Sequence, residues 1–323
     1  MLGKFSYVRA TSIPSAAVAA GRPGAYILAG GTDLLGCLRD EVFTASTVVS
    51  ISGIKGLKGI TPRPGGGLRI GALTTLTEVA ENKQVLDGYP VLAQAAAAAA
   101  SPQLRNQGTI GGNICQRPRC WYFRGDFHCL RKGGDTCFAA SGENEFHCIF
   151  GGAPCFIVHP SDTAPALVAL DAKAGITGPK GARSIPLASF FVLPADNVHQ
   201  ENVLVPGEVV TEILIDPLPA GARSMYRKVR ERGAFDFALA GAAVVLTLAG
   251  GKVAAARVVL SGVAPKPWRS AEAEKVLVGK SLDAGAVAQA AAAAVKDAAP
   301  LPQNGYKIPL VRGILEETLT SLA

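Results

Sequence analysis

The chain has no apolar run long enough to span a bilayer. Its longest, Phe237 to Leu248, is about a dozen residues and contains Gly241 and Thr247, whereas a span needs about 20. The N-terminus, Met1-Leu2-Gly3-Lys4-Phe5, lacks the charged and apolar regions of a secretory signal. The expectation is no membrane insertion and a cytoplasmic location by the chain's own signals. A periplasmic one stays open if a signal-bearing partner carries it across. There is no aromatic-interleaved basic stripe either. The net charge of +7 is scattered, apart from Tyr226-Arg227-Lys228-Val229-Arg230-Glu231-Arg232. That argues against nucleic acid and for attraction to an anionic cofactor, an acidic partner subunit or an acidic acceptor. Two nucleotide signatures are missing: Gly30, Gly31 and Gly36 do not fit G-x-G-x-x-G, and no P-loop occurs. No C-x2-C pair and no internal repeat is present.

What is present divides into blocks. Up to about residue 55 the pattern reads β-α-β-α-β: strands near Phe5–Tyr7, Ala25–Ala29 and Thr47–Ile51, with a helix over Ser15–Ala20 stopped by Gly21. Alternation of this length predicts a small parallel sheet. Leu57–Leu73 reads as a hairpin turning at Pro64-Gly65-Gly66-Gly67. Thr75 and Glu78 have capping-box spacing for a helix to about Asn82. A second helix is expected over Val91–Ala100, whose alanines favour close packing. Phe156–His159 reads as a strand, Asp162–Leu170 as a helix and Val209–Ile215 as a strand. From about Ser224 the texture changes. Phe237–Leu248 and Val253–Ser261 are expected as strands joined at Gly250-Gly251, followed by helices near 271–277, 284–296 and 306–321. The boundary falls near Pro217–Gly221.

Gly30-Gly31-Thr32-Asp33 follows an apolar strand and opens a helix. Glycines there permit close backbone approach, and N–H groups at a helix start favour an anion. Thr32 can donate its hydroxyl to a phosphate. Taken alone, such a turn is more often plain loop geometry. A second Gly-rich turn, Thr109–Asn113, could clamp a pyrophosphate against the first. Asp162 is placed either to bind ribose hydroxyls or to cap its helix.

Six of the seven cysteines fall between Cys115 and Cys155, and the spacing Cys120-x8-Cys129-x7-Cys137-x17-Cys155 is irregular. A secreted disulfide protein would be small and would spread its cysteines through the fold. Structural zinc prefers tight pairs, whereas a cubane iron–sulfur cluster takes four thiolates from loops. Arg117, Arg119 and Lys132 lie near these cysteines, where positive charge would stabilise an anionic cluster. Cys115 and Cys148 are left over, or one of them stands in for Cys155. Cys37, outside the group, reads as a small buried hydrophobe.

Leu28–Leu34, Leu68–Ala72, Thr109–Asn113, Pro160-Ser161-Asp162 and Tyr226–Arg230 together resemble the FAD-binding subunit of molybdenum hydroxylases, the xanthine dehydrogenase and aldehyde oxidoreductase family. The resemblance runs through nearly the whole chain. Most members lack the cysteine loop. Gln103–Gln107, Arg117–Cys120 and His159–Asp162 look closest to the bacterial periplasmic-type aldehyde oxidoreductase subunit that carries one. The resemblance implies an α+β protein. A vanillyl-alcohol-oxidase (PCMH)-type FAD domain would occupy 1–220, in subdomains of about 1–55 and 56–220, with the insertion at about 115–156. An α+β domain of the CO dehydrogenase flavoprotein type would follow at 221–323.

The resemblance also implies cofactor roles. Leu28, Ala29, Gly30, Gly31, Thr32, Asp33 and Leu34 would take the FAD pyrophosphate. Thr109, Gly112, Asn113 and Gln116 would lie along the cofactor, Asp162 on ribose-type hydroxyls and Lys228 near the flavin. Cys120, Cys129, Cys137 and Cys155 would ligate a 4Fe–4S cluster. The aromatic that stacks on the flavin in animal xanthine oxidases has no counterpart, its place falling near Ala99. No catalytic residue is implied. The expected partners are a molybdopterin-binding large subunit, a 2Fe–2S small subunit and an external electron acceptor. The alternatives are the β subunit of a 4-hydroxybenzoyl-CoA reductase-like enzyme and, in another class, a zinc-stabilised scaffold.

Overall fold

The computed structural model describes residues 2–323. The first block is β1 (Ser6–Arg9), α1 (Ile13–Ala20), β2 (Ala25–Leu28), α2 (Leu34–Arg39) and β3 (Thr47–Ser50). Its strands pair in parallel in the order β1-β3-β2, as the alternation predicts. Ser12 and Ser15 close a capping box at the start of α1, and Ala16 and Ala19 pack against Val49 and Ile51. Parallel pairing brings the C-terminal end of β2 beside that of β3. The Ala29–Asp33 loop leaves the sheet there.

Next come β4 (Ile60–Pro62), β5 (Leu68–Gly71), α3 (Leu76–Glu81), α4 (Lys83–Gly88), α5 (Pro90–Ala98), α6 (Pro102–Gln107), α7 (Ile110–Ile114) and α8 (Trp121–Arg124). After the cysteine segment follow α9 (Thr163–Ala169), β6 (Lys173–Gly178), β7 (Gly181–Pro186) and β8 (Val209–Ile215). The strands form an antiparallel five-stranded sheet, β4-β5-β8-β6-β7. Thr75 caps α3 as expected: its Oγ1 accepts from Glu78 N at 3.2 Å, and its own N–H donates to Glu78 Oε2 at 2.8 Å.

The last block holds β9 (Ala222–Val229), β10 (Ala240–Ala249), β11 (Lys252–Ser261), β12 (Trp268–Arg269), α10 (Ala271–Leu277), α11 (Ala284–Ala294) and α12 (Lys307–Leu322). The sheet is antiparallel, β12-β11-β10-β9. On β10, Ala242, Val244 and Leu246 face the C-terminal helices, while Ala243 and Val245 join the core built around α5 and α9. Burial on both faces is why this strand reads as a continuous apolar run rather than an alternating one. No helix among the described residues is long and apolar enough to cross a membrane.

Several expectations need correction. Phe156–His159 is not a strand. Its backbone groups pair singly in different directions: Phe156 O accepts from Cys148 N, and His159 N donates to Ala264 O. Helix α5 stops at Ala98, since Ala99 is extended and Ala100 turns left-handed at φ +45°. Thr109–Asn113 is no open turn, because Thr109 caps the short helix α7 and Gly111 and Gly112 lie inside it. Helices α4 and α6 went unread.

Candidate functional site

The loop after β2, the start of α7 and the β9–β10 connection together wall a cleft of about 640 Å³. Small-molecule sites run to roughly 300–1,000 Å³. Ala29, Gly30, Gly31, Thr32, Asp33 and Leu34 line it. Gly30 lies so close to α6 that a Cβ there would sit 2.0 Å from Gln107 O, and Gly31 is left-handed at φ +77°. Among the described residues, no protein acceptor meets the amides of Gly31, Thr32, Asp33 or Leu34. Consecutive unpartnered N–H groups at a concave surface form an anion nest, and they must find an acceptor when water is excluded.

The Asp33 carboxylate is directed away from that role. Its Oδ2 accepts Arg117 N at 2.7 Å, and its Oδ1 lies 2.7 Å from Arg124 Nη2 and 3.0 Å from Arg119 Nη2. Two guanidiniums thus neutralise a negative charge that would repel an anion in the nest.

The opposite wall carries Thr109, Gly112, Asn113, Gln116 and Asp162. The α7 amides are already paired: Ile110 N to Thr74 O, Gly111 N to Ala72 O, Gly112 N to Thr109 Oγ1 and Asn113 N to Thr109 O. The second loop therefore offers side chains rather than free amides. Asn113 Oδ1 accepts from Ser161 at 2.5 Å and Thr163 at 2.6 Å, which turns its amide nitrogen into the remaining donor. Gln116 Nε2 donates to Asn113 O at 2.9 Å.

Asp162 is buried and does not cap α9. That bond comes from Ser161, whose Oγ accepts Ala164 N at 3.0 Å. Instead Asp162 accepts from Tyr226 OH at 2.7 Å and pairs with Lys228 Nζ at 2.8 Å. Burial pushes its carboxyl upward, and Lys228 pulls it back. Lys228 also donates to Asp236 O at 2.9 Å and Ala98 O at 3.2 Å. Its ammonium is held behind Asp162 and does not line the cleft. Leu28 does not line it either; its side chain packs under Gly31.

The sequence reading missed the aromatic residues of the cleft. Tyr26 and Phe43 stack at 4.6 Å on one wall. Phe235 and Phe237 come from the β9–β10 connection, where Phe235 N donates to Ala100 O and Phe237 lies 5.2 Å from the Arg119 guanidinium carbon. Ala99 and Ala100 line the same region, so the aromatics beside them, Phe235 and Phe237, enter from the C-terminal block and not from α5. Two aromatics in a glycine-containing stretch directly after a basic run were the available signal.

Cys120, Cys129, Cys137 and Cys155 lie on one cavity, walled by Tyr122, Phe123, Phe138 and Phe156. Cys115 lines the larger cleft instead, and Cys148 is buried beside Phe156 without lining this cavity. Cys137 is drawn down by its contact with Cys155, which is pushed up in turn. Burial raises Cys120 to about 11. His147 Nε2 lies 3.2 Å from Cys120 Sγ, and burial lowers its imidazole to about 4. Arg131 lines the same cavity.

No three His, Cys, Asp or Glu side chains among the described residues gather around a single-ion position. A lone zinc, with Zn–S near 2.3 Å, would need sulfurs about 3.8 Å apart. A cubane cluster takes four thiolates, the number of cysteines on this cavity. The enclosed space is about 10 Å³, room for roughly one water.

A family model described as the FAD binding domain in molybdopterin dehydrogenase matches residues 3–218, and one for the CO dehydrogenase flavoprotein C-terminal domain matches residues 224–321. The chain is 39% identical over 320 residues to the aldehyde oxidoreductase FAD-binding subunit PaoB of Escherichia coli (strain K12), covering 98% of this chain and 97% of that one. It is 32% identical over 301 residues to the carbon monoxide dehydrogenase medium chain of Afipia carboxidovorans, covering 92% and 88%. Among solved structures, carbon monoxide dehydrogenase of Hydrogenophaga pseudoflava superposes with a TM-score of 0.80 at 27% identity, covering 100% of this chain and 98% of that chain.

Proposed function

Because the chain belongs to the FAD-binding subunits of the molybdenum hydroxylases, an oxidoreductase family, we propose that it is the FAD- and 4Fe–4S-carrying electron-transfer subunit of a heterotrimer of the aldehyde oxidoreductase type. Its partners would be a molybdopterin-binding large subunit and a 2Fe–2S small subunit, with electrons leaving to an external acceptor. The domains read as 1–220, with subdomains of about 1–55 and 56–220 and an insertion at about 115–156, followed by 221–323.

The observation that carries this reading is the nest of unpartnered amides from Gly31 to Leu34 inside a cleft of about 640 Å³. These amides and the Thr32 hydroxyl would hold the pyrophosphate. Asn113 would donate to the cofactor from the opposite wall, and Asp162, fixed by Tyr226 and Lys228, would accept from sugar-type hydroxyls. Phe235 and Phe237 would exclude water near Ala99. When bound, FAD supplies the junction between one-electron and two-electron transfer; the protein sets its position and surroundings. Cys120, Cys129, Cys137 and Cys155 would hold the cluster, whose dry aromatic wall limits solvent access.

Native purification tests the reading. The expected result is two co-purifying chains, molybdenum in the complex, one FAD and about four iron atoms bound to this chain, and flavin bands over a broad brown absorption. A complex without flavin, or with zinc in place of iron, overturns it.

A further inference from the structure

Two polar side chains outside the four-cysteine set line its cavity. His147 is buried, its Nε2 lies 3.2 Å from Cys120 Sγ, and its ring packs edge-on to Trp121 at 5.9 Å. Its Nδ1 has no partner among the described residues. In the tautomer with its proton on Nε2, the ring can donate to a thiolate at Cys120. Arg131 has a side chain only 1% exposed, with Nη1 2.6 Å from Glu201 Oε1. Its Nε and Nη2 have no partner among the described residues, and the residue lines the four-cysteine cavity. Glu201 is shared with Arg117 at 2.7 Å, so one carboxylate answers two guanidiniums and positive charge is left over beside the sulfurs. Buried N–H groups without acceptors are costly, and an anionic cluster would supply the missing acceptors.

We propose that His147 and Arg131 are positioning residues that set the reduction potential of the cluster, through an N–H donor on Cys120 and a buried cation beside Cys155. The inference rests on the cluster reading above. Reduction makes the cluster more negative, so a donor and a cation favour the reduced form and raise its potential. Removing either lowers it.

The test uses the native complex carrying His147→Phe, Arg131→Gln or Arg131→Lys. The cluster midpoint is read by electron paramagnetic resonance during a redox titration, and iron and FAD are counted per chain. His147→Phe keeps an aromatic ring and is expected to retain wild-type iron with a midpoint shifted to more negative potential. Arg131→Gln shifts the same way, and Arg131→Lys, which keeps the charge, restores most of the wild-type value. Full iron with unchanged midpoints in His147→Phe and Arg131→Gln overturns this inference alone. A wild-type complex without iron removes the cluster reading and the inference with it.

Discussion

Asp162 and Lys228 are both nearly excluded from water, with side chains 6% and 3% exposed, and each depends on the other. Asp162→Ala leaves the Lys228 ammonium with only two carbonyls. Removing one partner of such a pair costs about 3–5 kcal/mol, so a loss of that size is expected in urea denaturation, together with weaker flavin retention. Asp162→Asn, which keeps an acceptor for Tyr226, should lose less. A denaturation midpoint unchanged by Asp162→Ala would show that the pair adds nothing. His159 supplies a pH dependence. It is buried edge-on to Phe191, and burial lowers its imidazole from 6.5 to about 4, against the opposing pull of the Ile114 backbone and Asp33. In the unfolded chain it takes up a proton below about pH 6.5, whereas in the fold it does so only near pH 4. Its contribution is therefore complete above pH 6.5 and lost as pH falls toward 4, on the order of 3 kcal/mol for this shift. His159→Phe should flatten that part of a stability profile measured between pH 7 and 4.

Local signals in the chain carried over well where one element decides its own ends. The capping box at Thr75, the stop at Gly21 and the turns at Gly65–Gly67 and Gly250-Gly251 all mark ends found in the structure. They work because the determining atoms lie within a few residues. The cleft was only partly legible for the opposite reason. That Asp33 turns away toward Arg117, Arg119 and Arg124 depends on partners more than 80 residues along the chain. That Lys228 stands behind Asp162 depends on β9 crossing α5. Phe156–His159 looked like a strand because it is apolar, but its groups bond singly to separate segments. Gly30 shows how tightly two such elements are joined. A Cβ at Gly30 would lie 2.0 Å from Gln107 O, a backbone atom that cannot rotate aside. Gly30→Ala must therefore part the β2–α2 loop from the end of α6. Overpacking of this kind costs about 1–3 kcal/mol. Because the same loop carries the amide nest, FAD content per chain should fall even in protein that remains folded. Full flavin occupancy in Gly30→Ala would place the pyrophosphate elsewhere.

At the scale of the whole molecule, the cysteine insertion is held from outside its own sequence. Asn144 N donates to Gln303 Oε1 at 2.8 Å, and Gln303 N returns a bond to Asn144 Oδ1 at 3.0 Å. Asn304 Nδ2 donates to His147 O at 3.0 Å and Cys148 O at 3.1 Å. Lys307, fully buried, spans Phe146 O at 3.0 Å and Gly262 O at 2.7 Å. The segment leading into α12 thus clasps residues 144–148, while Arg117 and Arg124 tie the other end of the insertion to Asp33 beside the cleft. With the insertion bonded to both ends of the chain, contacts shared between the blocks are expected to couple their stabilities, so that they unfold together. Asn304→Ala tests this. It strips a donor from two buried carbonyls, which costs about 1–3 kcal/mol, and it loosens the backbone between His147 and Cys148 without touching Cys120, Cys129, Cys137 or Cys155. The expected result is a single urea transition at lower midpoint and fewer iron atoms per chain than wild type. A separate early transition, with iron and flavin still at wild-type levels after it, would mean that the C-terminal block unfolds on its own and that the clasp does not support the cysteine cavity.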